Sequence, residues 1–301
     1  MAYYSPDKIK SVLKQNNLAV LKRFGQHFLV DENVLAEIVN AADLDKEDMV
    51  IEVGPGLGIL TRELALKCRR VIAIEKDKKM VELLKKDLEQ FKNVEIIDGD
   101  ILKVNLNDIQ CPRVLGVEHS YKVVANIPYY ITSPILKLFL ENFIKPKIMV
   151  LLVQKEVAER ICAAPGKLSV LALSVRIYGE PKIIDFVPKD FFWPPPKVDS
   201  AILKIDNIKS AAEVEKSLKL ENGSVKNLFR IIKIGFSSKR KKLANNLSVG
   251  LNLEKEEILE IFEKLKINKN SRAQELNLEN WAELIPFLIL RNRLVKINNQ
   301  K

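Results

Sequence analysis

The sequence predicts an α/β fold, an open and mostly parallel sheet with helices on both faces, followed by a smaller helical domain. Between Met49 and Gln154, short apolar runs of strand length alternate with amphipathic helical stretches. This alternation is typical of parallel strands buried beneath crossover helices. A glycine-rich turn follows the first of these strands. From about Ile208 onward the periodicity is helical, with no convincing strand.

The order of these patterns gives the individual elements. The strand-like runs are MVIEVG, VIAIE, VEIIDGD, YKVVANI, KIMVLLVQ and, after a proline-rich stretch, SAILKI. The helical stretches among them are LTRELALKC, MVELLKKDLEQF, Ser133 to about Asn142, and KEVAERICA. Helical periodicity continues in VKNLFRIIKIGF, LEKEEILEIFEKLK and LENWAELIPFLILRNRL. We therefore predict a boundary near Asp206, with an α/β domain over residues 1–206 and a helical domain over residues 207–301.

The charge of the chain indicates a polyanionic partner, and nucleic acid before a membrane. The 301 residues include 49 Lys and Arg against 39 Asp and Glu, a net charge of +10. Residues 206–301 hold 19 of these basic residues and 12 of the acidic ones, so most of the excess lies in the final third. No apolar run reaches the roughly 18 residues of a membrane span, and no signal peptide is evident. We expect a cytoplasmic protein with no membrane partner.

The cysteines and histidines predict no metal site. The three cysteines lie far apart in the sequence, and there are only two histidines. This usage suits a reducing compartment and argues against a disulfide framework.

The first chemical motif is the glycine-rich turn in IEVGPGLGILTREL. Gly54 and Gly56 follow the strand, where glycines allow a tight turn and a close backbone approach to a ligand. Glu75 ends the next strand, 17 residues after Gly58, and can accept hydrogen bonds from both ribose hydroxyls of an adenosine-containing cofactor. These features fit NAD as well as S-adenosylmethionine, and such a turn is sometimes only structural.

Asp100 follows the third strand-like run, in IIDGDIL. A carboxylate at this edge of the sheet can accept a hydrogen bond from the adenine amino group of the cofactor. Its alternative role is that of a turn or helix-capping residue.

The tetrapeptide Asn126-Ile127-Pro128-Tyr129 ends the fourth strand and gives the strongest functional signal. The exocyclic nitrogen of adenine is a poor nucleophile because its lone pair is delocalised into the ring. The Asn126 side-chain oxygen and a backbone carbonyl near Pro128 can hold that amino group, and Tyr129 can stack on the ring. Pro128 restricts the backbone. The nitrogen becomes acidic as it takes the methyl group, so placement and electrostatics carry most of the catalysis.

A second aromatic element, FFWPPPK, follows later in the chain. A flipped base loses its stacking neighbours at a cost of a few kcal/mol, and each aromatic face returns about 1–3 kcal/mol. Phe192 is the candidate for the second face of the base, opposite Tyr129. The alternative is that Phe192 belongs to the core and that the prolines form a rigid linker.

Four consecutive cations follow FSS in the helical region. Such a cluster suits phosphate oxygens, although a charge run is more often a solvated surface. Given the high pI, we predict RNA binding for these residues: Lys239, Arg240, Lys241 and Lys242.

Together these motifs resemble those of ribosomal RNA adenine N6-dimethyltransferases. GQHFL, EVGPGLG, VIAIEKD, DGDIL, NIPYYITSP, LVQKEVAERI, FFWPPPKVDSA and FSSKRKKLANNL occur in the order seen in that family. The motif match runs from Phe24 to Leu247 and looks most like the bacterial small-subunit group. The resemblance implies a class I S-adenosylmethionine-dependent methyltransferase fold, Rossmann-like with a mostly parallel seven-stranded sheet. It also implies a small, basic, RNA-binding helical domain.

The resemblance further implies dimethylation of two adjacent adenosines in the 3′-terminal hairpin of 16S rRNA, within a small-subunit precursor. Nothing demands more than a monomer. The target base is then expected between Tyr129 and Phe192. The implied cofactor contacts fall on His27, Leu29, Gly54, Glu75, Asp100 and Asn126.

Two departures and three rival interpretations accompany this resemblance. His27 stands where many relatives have Asn, and residues 161–168 are short where relatives often carry a longer loop. The nearest rival is the 23S rRNA adenine methyltransferase of the macrolide-resistance type. The second is a non-catalytic RNA-binding assembly factor that retains the fold. An NAD-dependent oxidoreductase is disfavoured, because no acid–base residue for hydride transfer is evident.

Overall fold

The computed structural model of the chain describes residues 5–20, 25–106, 109, 121–142, 144–221 and 223–298. Phe24, where the motif match begins, lies outside these ranges. The chain forms two compact units, and neither is continuous in sequence. The first comprises residues 1–158 and 180–208, and the second comprises residues 159–179 and 209–301.

A seven-stranded sheet organises the first unit. The strands of the described residues are β1 (Phe28–Leu29), β2 (Met49–Val53), β3 (Arg70–Glu75), β4 (Val94–Asp98), β5 (Tyr121–Asn126), β6 (Met149–Gln154), β7 (Glu180–Val187), β8 (Phe192–Trp193) and β9 (Ser200–Asp206). The sheet order is β4-β3-β2-β5-β6-β9-β7, and β1 pairs separately with β8. The strands from β4 to β6 in this order run parallel, whereas β9 is antiparallel to both β6 and β7.

The interior strands of this sheet are buried on both faces and mostly apolar. Every residue of β2 is buried, and so are the first five residues of β5 and of β6. Continuous rather than alternating burial is the consequence of helices covering both faces of a parallel sheet. The two edge strands, β4 and β7, are exposed along much of their length.

Local sequence sets the ends of the helices in this unit. The helices are α1 (Pro6–Gln15), α2 (Glu32–Ala41), α3 (Ile59–Lys67), α4 (Lys78–Asp87) and α5 (Thr132–Glu141), and α6 (Lys155–Ile161) crosses the unit boundary. Ser5, Asp31 and Asp77 cap α1, α2 and α4 by accepting a backbone N–H of the first turn. Such caps satisfy donors that a helix leaves unpaired at its N-terminus.

A buried ion pair lies at the start of β5. The Lys122 ammonium is 2.8 Å from Asp48 Oδ2, and these two side chains are only 6% and 7% exposed. Lys122 also donates to the Asp43 carbonyl, and the Asp45 backbone N–H donates to Asp48 at 2.8 Å. Each charge is therefore matched by partners in a region from which water is largely excluded.

The second unit is helical in the residues that the structure describes. Its helices are α7 (Val170–Tyr178), α8 (Ala211–Ser217), α9 (Val225–Gly235), α10 (Leu243–Leu251), α11 (Lys255–Lys264) and α12 (Leu278–Asn298). Trp281 of α12 is fully buried and stacks on Phe236, with ring centroids 6.0 Å apart. A Cβ on Gly235 would lie 2.3 Å from Trp281, so the glycine allows α9 and α12 to pack closely.

The predicted α/β fold with a mostly parallel seven-stranded sheet is confirmed. The boundary at residue 206 stays a prediction, and the sequence pattern does not indicate that residues 159–179 pack with the helical unit. It also does not identify β7, because this edge strand is largely exposed and lacks an apolar run. None of the described helices is long and apolar enough to cross a membrane.

Candidate active site

The principal cavity opens at the carboxyl ends of the parallel strands β2, β3 and β5. From β2, the next strands in the sequence lie on one side of the sheet (β3, then β4), whereas β5 and β6 lie on the other side. The strand order therefore reverses between β2 and β5. This switch point is where open α/β sheets bind their ligands. The cavity, including its open mouth, has an empty volume of about 1210 Å³. Nine of the predicted site residues line it: His27, Leu29, Gly54, Gly56, Glu75, Asp100, Asn126, Pro128 and Tyr129.

Glu75 is held in place by the backbone around it. One carboxylate oxygen accepts the N–H groups of Lys76 and Asp77 at 2.8 and 2.9 Å, and the other accepts the Gly56 N–H at 3.2 Å. Burial raises the pKa of Glu75, and the three N–H donors act against that shift. The glycine turn and the carboxylate are thus one hydrogen-bonded assembly on the cavity wall.

Gly56 shows why this turn requires glycine. Its φ is +59°, in the left-handed region, and a Cβ there would lie 3.1 Å from the Phe28 ring. A side chain would therefore meet both backbone strain and a steric contact. Phe28 itself lines the cavity, so the close approach of these residues shapes the site.

Asp100 lies two residues beyond β4, and both of its oxygens have protein partners. Oδ2 accepts from the Lys76 ammonium at 2.8 Å, and Oδ1 accepts from the Leu102 N–H at 3.1 Å. The Lys76 hydrogen bond lowers the pKa of Asp100, so the group is an anion near neutral pH. A carboxylate has about four acceptor positions, which leaves capacity for an adenine amino group.

Asn126 ends β5 at the cavity, as predicted. Its side-chain nitrogen donates to the His27 carbonyl at 3.0 Å. This bond commits the donor end of the amide, so the oxygen is the end that can accept from a substrate amino group. The 3-10 turn Tyr129–Ile131 follows directly.

Tyr129 is held by contacts at both its ring and its hydroxyl. The His27 ring is stacked on the Tyr129 ring, with ring centroids 5.9 Å apart and an interplanar angle of 20°. The His27 Nδ1 in turn donates to the Pro194 carbonyl at 2.7 Å. The Tyr129 hydroxyl and the buried Ser200 hydroxyl are 2.7 Å apart. Burial raises the pKa of Tyr129, so the phenol is neutral at physiological pH and does not act as a base.

Phe192 is placed differently from the expectation. It is buried in β8, opposite Leu29 of β1, and belongs to the hydrophobic core of this unit. It is not among the residues that line the cavity. The structure therefore brings Tyr129, but not Phe192, to the cavity surface, and a role for Phe192 against the target base stays a prediction.

Three further residues on the cavity wall are not indicated by the sequence motifs. Lys76 follows Glu75 and pairs with Asp100. Tyr130 is an exposed aromatic side chain on the cavity surface beside Tyr129. Glu52 is buried within β2, in the otherwise apolar run MVIEV. A carboxyl group inside a buried strand is the sequence signal that could have revealed Glu52, because such groups are rarely buried without a reason.

The predicted RNA-binding residues lie in the second unit, in the loop that joins α9 to α10. All four side chains are exposed: Lys239, Arg240, Lys241 and Lys242. Lys242 Nζ donates to Asn270 Oδ1 at 2.6 Å. No ion pair to a carboxylate is formed by the four within the described ranges, so their charges are available to a ligand.

The preceding helix α9 extends this positive surface. Lys226, Arg230 and Lys233 are exposed at i, i+4 and i+7, which places them on one face of the helix. The opposite face is buried and apolar: Val225, Leu228, Ile231 and Ile232. We call these three residues together with Lys239–Lys242 the basic surface.

The cavity residues fit S-adenosylmethionine. A fixed carboxylate at Glu75 suits ribose hydroxyls, and the anionic Asp100 suits an adenine amino group. Among the described residues, Glu52 has a buried carboxyl oxygen without a hydrogen-bond partner, which suits a ligand that carries positive charge. Among the described residues, no group of three or more His, Cys, Asp or Glu is placed to hold a metal ion.

The fold and the cavity define a class I S-adenosylmethionine-dependent methyltransferase. The family model for ribosomal RNA adenine dimethylase matches residues 17–289. The chain therefore belongs to the ribosomal RNA adenine dimethylase family. It is a methyltransferase that takes its methyl group from S-adenosylmethionine and acts on adenine in ribosomal RNA.

Individual relatives agree with this assignment. The chain is 42% identical over 275 residues to the ribosomal RNA small subunit methyltransferase A of Dehalococcoides mccartyi, covering 91% of this chain and 90% of that protein. It is 38% identical over 283 residues to the protein of the same name from Alkaliphilus metalliredigens, covering 93% and 96%.

Two solved structures share the fold. A dimethyladenosine transferase from Plasmodium falciparum has a TM-score of 0.71 at 27% identity, over 88% of this chain and 97% of that one. The 23S rRNA methyltransferase ErmE has a TM-score of 0.69 at 25% identity, over 87% and 99%. Structural similarity alone thus includes an enzyme named for 23S rRNA.

Glu75→Gln is expected to weaken binding of S-adenosylmethionine by roughly 10–100-fold, since hydrogen bonds to charged groups contribute about 1.5–3 kcal/mol. Binding is measured by isothermal titration calorimetry. Asp98→Asn is the matched control, because Asp98 is the register partner of Glu75 on β4 but is exposed and outside the cavity. Equal effects of the two substitutions on the dissociation constant would show that Glu75 does not contact S-adenosylmethionine.

Proposed function

We propose that the protein methylates N6 of two adjacent adenosines in the 3′-terminal hairpin of 16S rRNA, in the small subunit or its precursor. Relatives that are 38–42% identical are named ribosomal RNA small subunit methyltransferase A, and their alignments cover more than 90% of this chain. The observation that most supports this chemistry is that Asn126, Pro128 and Tyr129 line the same cavity as the glycine turn. We further propose that it acts as a cytoplasmic monomer.

In this proposal the chain positions the adenine amino group and needs no strong base. Asn126 is oriented by its bond to the His27 carbonyl, so its oxygen accepts one N–H of the substrate. A backbone carbonyl near Pro128 accepts the other, and this geometry favours a tetrahedral nitrogen with an available lone pair. When bound, S-adenosylmethionine supplies an electrophilic methyl group. The nitrogen then loses its proton readily to solvent, because methylation makes it acidic.

Tyr129 supplies the stacking surface for the target base. Its ring is fixed by His27 on one side and by the hydroxyl contact to Ser200, so little side-chain entropy is lost when a base stacks on it. Phe192 can take the other face of the base only if β8 or its neighbours rearrange, since it is buried in the present conformation. This requirement makes Phe192 the weaker of the two aromatic assignments.

The basic surface supports RNA as the macromolecular partner. Lys226, Arg230 and Lys233 follow one helical face over ~10 Å of axis. The steps between them rise ~6 Å and ~4.5 Å, which suits successive phosphates of one strand. The loop Lys239–Lys242 adds four exposed charges at the end of the same helix. Contacts of this kind position RNA without reading its sequence.

The test is transfer of labelled methyl from S-adenosylmethionine to unmethylated 30S particles, with 50S particles as control, followed by nucleoside analysis. We expect N6,N6-dimethyladenosine in 16S RNA only. Label in 23S RNA would replace this proposal with the resistance-type activity, which the likeness to ErmE keeps as the second candidate. No label in either particle, with cofactor bound, would indicate a non-catalytic assembly role or another RNA.

Neutralising the loop of the basic surface, with Lys239, Arg240, Lys241 and Lys242 all changed to Gln, is expected to weaken RNA binding. The slope of log K against log salt should fall by up to about 3, because each lost phosphate contact to a single strand removes about 0.7. Binding is measured by filter retention across a salt series. The matched control neutralises four exposed lysines around α11: Lys255, Lys264, Lys266 and Lys269. An identical slope for the two variants would show that the loop is a solvated surface that makes no specific contribution to RNA binding.

A further inference from the structure

Tyr130 is an exposed aromatic side chain that the proposed chemistry does not use. It is 60% exposed and lines the principal cavity. Among the described residues, Phe186 is the one other exposed aromatic side chain, and it lies on β7, outside the cavity lining. Tyrosine is enriched at binding surfaces because its ring offers a large apolar face with a polar tip. The position of Tyr130 therefore indicates a surface that a ligand covers.

The ring of Tyr130 lies on the cavity wall. A Cβ on Gly25 would lie 3.7 Å from Tyr130 Cε1 and 3.5 Å from Pro128 Cβ, so the ring lies beside these two residues, which also line the cavity. At its other end, the Tyr130 hydroxyl is close enough to the Lys76 ammonium for the two groups to interact electrostatically. The ring therefore lies between the segment that precedes β1 and the residue that follows β3.

Tyr129 and Tyr130 are not placed to hold one base between them. They are consecutive residues of the 3-10 turn Tyr129–Ile131, in which successive side chains point about 120° apart because one turn takes three residues. Tyr129 is half-buried with its ring against His27, whereas Tyr130 is exposed. Two rings that diverge in this way can stack on two different bases, one inside the cavity and one at its mouth.

A flipped adenosine leaves the next base of its strand with an uncovered face. Leaving the stack costs free energy, which an enzyme must return through its own contacts. The neighbouring nucleotide is joined to the flipped one through a single phosphate, so its base stays close to the mouth of the cavity. An exposed aromatic ring at that place can restore the lost stacking, and it accepts any base because every base has a π face.

We propose that Tyr130 forms a second base-binding site, which stacks on the nucleobase next to the target adenosine while that adenosine occupies the cavity. Tyr130 touches no reacting atom in this arrangement, so it is a positioning residue. It favours the flipped state by returning to the neighbouring base part of the stacking that flipping removes. Because the ring lies on one side of the cavity, it serves the same neighbour, 5′ or 3′, in every transfer.

The inference rests on the action of the chain on adenine in ribosomal RNA and not on the 16S target. Its test therefore uses whichever ribosomal particle the wild-type protein labels, so a 50S substrate would overturn the proposed target and leave this test in place. The rate of methyl transfer is measured in single turnovers at limiting particle concentration. Tyr130→Ala should lower the second-order rate constant by roughly 5–100-fold, the effect of removing one base–aromatic stack.

Two conservative variants distinguish stacking from simple apolar cover. Tyr130→Phe keeps the ring and should stay within about twofold of wild type. Tyr130→Leu keeps an apolar side chain without a π face, so it should resemble Tyr130→Ala. A Tyr130→Leu variant as active as Tyr130→Phe would overturn the proposal, and so would normal transfer by Tyr130→Ala.

Phe186→Ala is the matched control, because Phe186 is also an exposed aromatic residue of the first unit but lies outside the cavity lining. It should transfer methyl at the wild-type rate. The dissociation constant of S-adenosylmethionine, measured by isothermal titration calorimetry, should be unchanged in Tyr130→Ala. Equal losses of rate in the two alanine variants, or weakened cofactor binding in Tyr130→Ala, would contradict a base-stacking role.

Removing the neighbouring base identifies the partner of Tyr130. Particles are reconstituted with RNA that carries an abasic nucleotide immediately 5′ or immediately 3′ of the labelled adenosine. The wild-type protein should lose roughly 5–100-fold in rate with one of these two RNAs. Tyr130→Ala should lose less than about twofold further with that RNA, because both changes remove the same stack. Equal losses in the two proteins, or no loss in the wild type with either RNA, would overturn the proposal.

Discussion

Asn126→Ala is expected to reduce the rate of methyl transfer by roughly 10²–10³-fold, the usual effect of removing one precisely placed hydrogen-bonding group from an active site. The substitution removes the acceptor for the adenine amino group. It also removes the donor that holds the His27 carbonyl at 3.0 Å, so the cavity wall loses one of its fixed contacts. The rate is measured in single turnovers with saturating cofactor and RNA.

Two companion variants separate these effects. Asn126→Asp keeps an acceptor oxygen but loses the N–H that donates to the His27 carbonyl. A large loss of methyl-transfer rate in this variant would show that the orientation of the side chain matters. Tyr129→Phe keeps the stacking ring and loses only the contact to Ser200, so it should stay within a few-fold of wild type. If Asn126→Ala retained near-normal transfer with bound cofactor, the proposed placement of the amino group would be wrong.

Lys122→Met is expected to destabilise the protein by about 3–5 kcal/mol, because it leaves Asp48 charged and without its partner in a buried position. The 2.8 Å pair lies at the start of β5, and both of its side chains are almost fully buried. The Asp43 carbonyl also loses a donor. The free energy of unfolding is measured by urea denaturation, with attention to any change in slope.

Lys182→Met provides the matched control. Lys182 is also 2.8 Å from a carboxylate, Asp206, but its side chain is 53% exposed. A pair of this kind contributes about 0–1 kcal/mol, since water screens it and competes for both charges. Equal losses in the two variants would show that burial does not control the strength of the Lys122 pair.

The sequence predicts the central fold well because burial leaves a clear pattern there. The strands β2, β3, β5 and β6 are buried and mostly apolar, and each corresponds to a run identified from the sequence. The edge strand β7 has no such run, since most of its side chains face solvent. Its position is determined by pairing with β9, a long-range contact that local periodicity does not record.

The candidate site is predictable to the extent that its residues follow strands. Glu75 and Asn126 lie at the carboxyl ends of β3 and β5, so the topology alone brings them together. His27 and Leu29 are brought to the same cavity by the β1–β8 pair, which joins residues more than 160 positions apart. Only the family resemblance suggested these two residues, because no local pattern points to them.

Other properties of the site depend on packing that a sequence does not encode locally. Lys76 is one residue beyond Glu75, yet its ion pair with Asp100 requires β3 and β4 to be paired. The burial of Glu52 depends on the elements packed around β2, which no local pattern records. Phe192 illustrates the reverse case, since its motif suggests an exposed stacking surface and its packing places it in the core.

The order in which these strands join the sheet has a consequence for protein synthesis. The chain leaves the first unit after residue 158 and re-enters it at residue 180, and β9 must then insert between β6 and β7. A nascent chain emerges from its N-terminus, so β6 has an unpaired edge until residues 200–206 have been made. The segment bearing His27 likewise waits for residues 192–193. A growing chain is therefore expected to gain cofactor binding only after about two thirds of it has been translated.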